Sequence, residues 1–378
     1  MNNRGFFSRR DVVRLSCTAA GLSCVGGRLM LNRAEASGFD GVAAAIQQSV
    51  QSGQMKAAVM MVQHRDAQAV WPFGEAVSAD SVFLLASITK PMVATSVMAL
   101  CDSGDLRLDD RVDAFIPEFS GDNRNQVTIR HLLSHCSGLP DQLPENRQLR
   151  SSHASLDEFV EGAMRVPLAF LPGSKFLYSS MGILLASEIA VRVSGMPMKR
   201  LIQERVFAPL GMQTASLGTG GRPIASLVRC QTEHAAAEAG AGDADSSAWD
   251  WNSLYWRELG APWGGAHGSA GDVVKFLADF LQLSGKVLKP ATAGEMVTRQ
   301  FSPAVTSRGL GFGLGRSNSS RHCSQEVFGH TGSTGTLAWA DPKSQAICVV
   351  LTTLPGGVVD PHPRQVASDA FATRIRQR

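Results

Sequence analysis

Ser81-Val82-Phe83-Leu84-Leu85-Ala86-Ser87-Ile88-Thr89-Lys90 is the stretch on which the rest of the chain turns. Its first six residues read as a short apolar strand. A serine and, three residues later, a lysine follow, the only such spacing in the 378 residues. Three residues are nearly one helical turn, so both side chains project from one face. A lysine whose pKa is lowered by a helix N-terminus and a dry pocket can take the serine proton, which makes a nucleophile without a histidine triad. The plain alternative is a surface serine beside a solvated lysine. The context argues against it. Pro91 suits a first helical turn, Val93, Val97, Met98 and Leu100 keep an apolar stripe, and Gly104 ends the helix.

Working outward, Ala57 to His64 and Gln68 to Phe73 read as a strand hairpin. Helical patterns follow at Val127 to His135, Leu156 to Met164, Ile183 to Val193 and Met198 to Phe207. Residues 218–250, rich in Gly, Ala, Asp and Ser, read as a long loop. Asp272 to Leu283 is expected as a helix capped by Asp272. Strands are expected at Leu310 to Leu314, Thr336 to Asp341 and Ala346 to Thr352, and a last helix at Gln365 to Arg378. Strands at both ends with helices between imply an α/β domain built from residues 37–100 and 215–378, a helical domain over 101–214, and a cleft between them.

The net charge of +3 is uneven: residues 1–36 hold six arginines against Asp11 and Glu35, a balance of +4 that leaves −1 for the rest. Nothing in the remainder points to nucleic acid as a partner. The first 36 residues read as an export signal of the twin-arginine type: Arg9-Arg10, a mildly apolar run, then Ala34-Glu35-Ala36. An arginine-bearing tail or an organellar transit peptide shares that composition. The run is too short and glycine-rich for a stable membrane span. Beyond it, Cys101, Cys136, Cys230, Cys323 and Cys348 are scattered without metal or disulfide spacing and read as core thiols.

Further strings join Ser87–Lys90 in order: Gly104 to Asp110, Thr128-Ile129-Arg130-His131-Leu132-Leu133-Ser134-His135-Cys136-Ser137-Gly138-Leu139, Pro172-Gly173-Ser174-Lys175-Phe176-Leu177-Tyr178-Ser179-Ser180, and His330-Thr331-Gly332. With them the chain after residue 50 resembles the serine β-lactamase-like hydrolases, a group of class C β-lactamases, D-Ala-D-Ala carboxypeptidases and related esterases. The resemblance implies an antiparallel sheet flanked by helices with an inserted helical domain. It implies an acyl-enzyme on Ser87, with Lys90 and Tyr178 moving the proton. It also implies substrate contacts from Ser180, His330, Thr331, Gly332 and Ser333, and an oxyanion hole from the Ser87 and Ser333 amides. Ser180 stands where the family usually has asparagine, which shifts the expectation toward esters. His330 stands where many relatives have lysine and is expected to steer a substrate carboxylate, as a cation if protonated.

Competing readings are set beside this one. Tyr255 is the other tyrosine, in the aromatic string Trp251 to Trp256. His131 and His135 have a zinc-compatible spacing, yet Leu132 replaces the glutamate that a metalloprotease helix needs. Gly309 to Gly315 is glycine-rich but alternates with apolar residues and precedes no helix, so it reads as strand rather than phosphate loop. No cofactor or metal is expected, and the substrate is expected to be a small ester or peptide. A protein of the same fold that binds penicillin and senses without turnover is the alternative.

Overall fold

Residues 38–75, 78–234 and 239–377 are described by a computed structural model. The export reading of residues 1–36 lies outside them. The described strands are β1 (Ala57–His64), β2 (Ala67–Gly74), β3 (Phe83–Leu84), β4 (Ser216–Leu217), β5 (Ala266–Gly268), β6 (Gly313–Leu314), β7 (Phe328–Thr331), β8 (Leu337–Asp341) and β9 (Ala346–Thr352). Six form one antiparallel sheet, ordered β2-β1-β9-β8-β7-β6, so the first hairpin pairs directly with the last strand. A smaller sheet, β3-β5-β4, carries the chain into the Ser87 segment.

Period-two alternation explains the central strands. In β9, Ile347, Val349 and Leu351 enter one apolar cluster, while Ala346, Cys348 and Val350 enter another on the opposite face. Every residue of β9 is buried, which accounts for its unbroken apolar run. Helices Ala44–Gln51 and Pro363–Arg376 cover one face, and Ala270–Gln282 covers the other. On that side the fully buried indole of Trp339 donates Nε1–H to Ser368 Oγ at 2.8 Å. On the opposite face the apolar cluster runs on without a break into the helical part, through Met92, Val97, Leu132, Phe159 and Leu185. The antiparallel sheet flanked by helices that the resemblance implied is the architecture observed.

Several boundaries differ from the sequence expectation, each for a local reason. The strand expected over Ser81–Ala86 shrinks to Phe83–Leu84, because Leu85 is already helical and Ala86 turns at φ +48°. The helix expected to His135 stops at Leu133, since His135 takes φ +60°. Ser269, not Asp272, caps Ala270–Gln282; the Asp272 carboxylate instead accepts from Thr214 N at 2.7 Å and Thr214 Oγ1 at 2.6 Å. Only Gly313–Leu314 of the expected Leu310–Leu314 strand pairs. Gly311, at φ +76°, lies under the Ser87 helix, where an added Cβ would sit 2.7 Å from Ala94 Cβ. Residues 218–250 contain short turns at Ile224–Ser226, Thr232–His234 and Ala244–Ala248.

The Cys136 and Cys230 thiols are free, and burial pushes each up to about 11. No single described helix is long and apolar enough to cross a membrane. Helices Ser180–Ser194 and Met198–Phe207 pass jointly by length and composition, but they bend by 86°.

Candidate active site

Ala86–Ile88 forms one tight turn that runs straight into the helix Thr89–Ser103. Ser87 and Lys90 therefore share a face, as their spacing requires. The first twelve residues of that helix are buried, and Lys90 is only 1% exposed. Lys90 Nζ lies 3.0 Å from Ser87 Oγ and donates to the Trp263 carbonyl at 2.7 Å. It also stands 4.9 Å from the centroid of the Tyr178 ring.

Tyr178 reaches this place through backbone pairing. Gly173 N donates to Cys136 O at 2.8 Å and Leu177 N to His135 O at 3.0 Å, which lays the two motif strings side by side. The ring packs on His135 at 4.7 Å between centroids, with His330 at 5.9 Å. The guanidinium carbon of Arg308 lies 5.2 Å from the same ring. Tyr178 thus faces two basic side chains, Lys90 and Arg308.

His330 is the penultimate residue of β7, just before Thr331. Its Nδ1 lies 2.6 Å from Thr331 O, and its Nε2 lies 3.2 Å from Arg308 Nη1. Guanidinium groups only donate, so Nε2 accepts and Nδ1 carries the proton. Burial, then the charges of Arg308 and Lys90, hold the imidazole pKa well below its ordinary value. Burial and these neighbouring charges thus disfavour the cationic form of His330 considered from sequence, and the guanidinium at this edge is that of Arg308.

Gly332 allows a close approach, but to the protein's own chain. A Cβ there would lie 2.8 Å from Leu85 O and 2.2 Å from Thr336 Oγ1. Thr334 Oγ1 donates to Leu84 O at 3.0 Å and Thr336 Oγ1 to Leu85 O at 2.9 Å, tying the β7–β8 turn to the segment before Ser87. Arg364 braces the turn from the last helix, donating to Gly332 O at 2.7 Å and Thr336 O at 2.8 Å; burial brings its pKa down to about 10.

Ser180 opens the helix Ser180–Ser194. Its N–H and Oγ–H both donate to Asp141 Oδ1, at 3.1 and 2.5 Å.

Ser87, Lys90, Tyr178, Ser180, His330, Thr331, Gly332 and Ser333 all line one cleft of about 400 Å³. Trp251, Trp256 and Trp263 form an aromatic wall, and Asp141, Arg150, Arg308 and Arg364 add charged groups. Arg308 and Asp141 were missed by sequence reasoning. Asp141 stands two residues beyond Leu139, where a motif string ends, a proximity that could have flagged it. Nothing around Arg308 marks it.

Other candidates lie elsewhere. Tyr255 donates its hydroxyl to Ala154 O at 2.8 Å, and burial pushes it up to about 12. His131 bonds to Thr128 and stacks on Phe301 at 5.4 Å, whereas His135 packs behind Tyr178. Among the described residues no group of three or more His, Cys, Asp or Glu converges as a metal site.

Known proteins resemble the chain in sequence and in fold. Esterase EstB of Burkholderia gladioli is 30% identical over 271 residues, covering 64% of this chain and 67% of the esterase. Penicillin-binding protein 4 of Amycolatopsis lactamdurans is 32% identical over 233 residues, 59% of this chain and 58% of that protein. The solved structure of EstCE1, described as a hydrolase with promiscuous acyltransferase activity, superposes with a TM-score of 0.73 at 22% identity, over 90% of this chain and 100% of that one. The family model described as Beta-lactamase matches residues 42–371, nearly all of the described chain, and the protein belongs to that family.

Proposed function

We propose that the protein is a serine hydrolase that cleaves small esters or amides through an acyl-enzyme on Ser87. The observation that carries this reading is the Lys90 amine, buried and 3.0 Å from the Ser87 hydroxyl under the ring of Tyr178. One Nζ–H is held by the Trp263 carbonyl, which fixes the amine beside the Ser87 hydroxyl. Lys90 with Tyr178 takes the Oγ proton as Ser87 attacks the substrate carbonyl. Tyr178 returns it to the leaving oxygen or nitrogen. Water then attacks the acyl-enzyme by the reverse proton path. The amides of Ser87 and Ser333 serve as oxyanion donors. His330, Thr331 and Gly332 form the substrate-facing edge. The reading includes export by the twin-arginine route, and cell fractionation with and without residues 1–36 checks it.

The similarity to a named esterase and to a penicillin-binding protein supports acyl transfer without selecting the substrate. The test uses the protein and its Ser87→Ala variant. Both are exposed to a fluorophosphonate and a fluorescent penicillin, then assayed on a nitrophenyl ester, a chromogenic cephalosporin and a D-Ala-D-Ala peptide. Label and turnover confined to the unmodified protein are expected. Equal labelling of the two would remove Ser87 from the mechanism, and labelling without turnover of any substrate would favour the sensing alternative.

A further inference from the structure

Ser180 has one hydroxyl proton, and Asp141 Oδ1 holds it at 2.5 Å. What remains on Ser180 Oγ is lone pairs. Asp141 Oδ1 also accepts from Ser180 N, and no donor among the described residues reaches Oδ2. Both side chains line the cleft that holds Ser87. The Asp141 and Ser180 side chains therefore offer acceptors only, with the Gln142 amide as their neighbour in the lining. A substrate carbonyl placed there would meet oxygen lone pairs and a carboxylate, whereas an N–H group would meet two waiting acceptors.

The rest of the lining sharpens the point. Asp141 is the only carboxylate among the residues lining this cleft, against Lys90, Arg150, Arg308 and Arg364. Those guanidinium groups are engaged: Arg308 with His330, Arg364 with Gly332 O and Thr336 O, and Arg150 with Trp249 O. A cationic amine is repelled by the guanidinium groups, and the one carboxylate in the lining that can pair with it is Asp141.

From this we infer that Asp141 and Ser180 form a subsite for a protonated amine on the substrate, so that the cleft selects amino-acyl esters or amides over their amine-free analogues. The inference rests on the proposal that this cleft holds the substrate, but not on turnover. The competing role for Asp141 is structural, as a cap on the first N–H of the helix Ser180–Ser194.

The test separates these by binding to the Ser87→Ala protein, in which chemistry is removed and the cleft kept. Calorimetry compares D- and L-phenylalaninamide with 3-phenylpropanamide, which lacks only the amine. The amine-bearing amide of at least one hand should bind about 10- to 100-fold more tightly, the range of one charge-assisted hydrogen bond. Adding Asp141→Asn should bring the pair to near parity, and Asp141→Glu should keep the preference. Ser180→Asn, which places an amide donor on the wall, should lower affinity for the amine and raise it for the amine-free amide. Equal affinities in the Ser87→Ala protein, no measurable binding of the amine, or an equal loss for both amides in Asp141→Asn would overturn the inference. Failure of the acyl-enzyme reading shows instead as loss of fluorophosphonate labelling specific to Ser87, which these affinities do not enter.

Discussion

The two tyrosines of this chain sit in surroundings that look alike and differ in one decisive respect. Each packs on a histidine, Tyr178 on His135 at 4.7 Å and Tyr255 on His153 at 4.5 Å. Tyr255 gives its proton to a fixed carbonyl, Ala154 O, and burial raises its pKa to about 12. Tyr178 instead faces Lys90 and Arg308 across its ring and lines the cleft beside Ser87. A stacked histidine thus does not make a phenol useful. What sets Tyr178 apart is its place in the cleft, with two basic side chains and the Ser87 hydroxyl close by.

Mutation can break this contrast at its strongest point first. Lys90→Met removes the amine next to Ser87, and kcat/KM for a nitrophenyl ester should fall by about 10⁴-fold, with fluorophosphonate labelling of Ser87 slowed in step. A variant retaining even a tenth of the activity would refute the proton role of Lys90. Tyr178→Phe keeps the ring packing and deletes the hydroxyl; steady-state kinetics should show a loss of about 10²- to 10³-fold, carried by kcat more than KM. No loss would erase the distinction between the two phenols.

The histidine behind Tyr178 sharpens the comparison through stability. His135 and His330 are buried with pKa values held well below the ordinary one, chiefly by desolvation, and His362 is lowered to about 4. The unfolded chain takes up protons on these rings near pH 6.5 while the folded chain does not. Stability is therefore full above about pH 6.5 and declines as pH falls toward 4. Thermal melting at pH 7 and pH 5 should show a drop of several degrees, and a His135→Asn variant should show a smaller one. The smallest effect is expected from Tyr255→Phe. It leaves Ala154 O without its donor, at a cost of about 1 kcal/mol in a denaturant titration, and activity should stay within about twofold.

Much of this molecule could be read from residue order, for identifiable reasons. Strands β1 and β9 have the bounds expected from their apolar runs, because a strand buried on both faces leaves a continuous signal. Gly104 ends the Ser87 helix at φ +88°, as a glycine at that place should. Misread boundaries cluster around the cleft: Ala86 and His135 take positive φ without being glycine, so composition hides the turn. Arg308 was invisible because its role depends on β6 and β7 bringing it against His330 and Tyr178, and no local pattern encodes that meeting.

Taken alone, residue order determined the pairing of Ser87 with Lys90, since three residues along a helical turn put them on one face wherever that helix lies. It also marked most strands and helices through the period of their apolar residues, while the antiparallel layering came from the family resemblance. Only the folded chain decided the electrostatics of the cleft: that burial and Arg308 disfavour a charged His330, and that Asp141 accepts the Ser180 hydroxyl hydrogen bond. The reason is that ionisation and donor direction depend on burial and on partners distant in sequence, which local patterns do not carry.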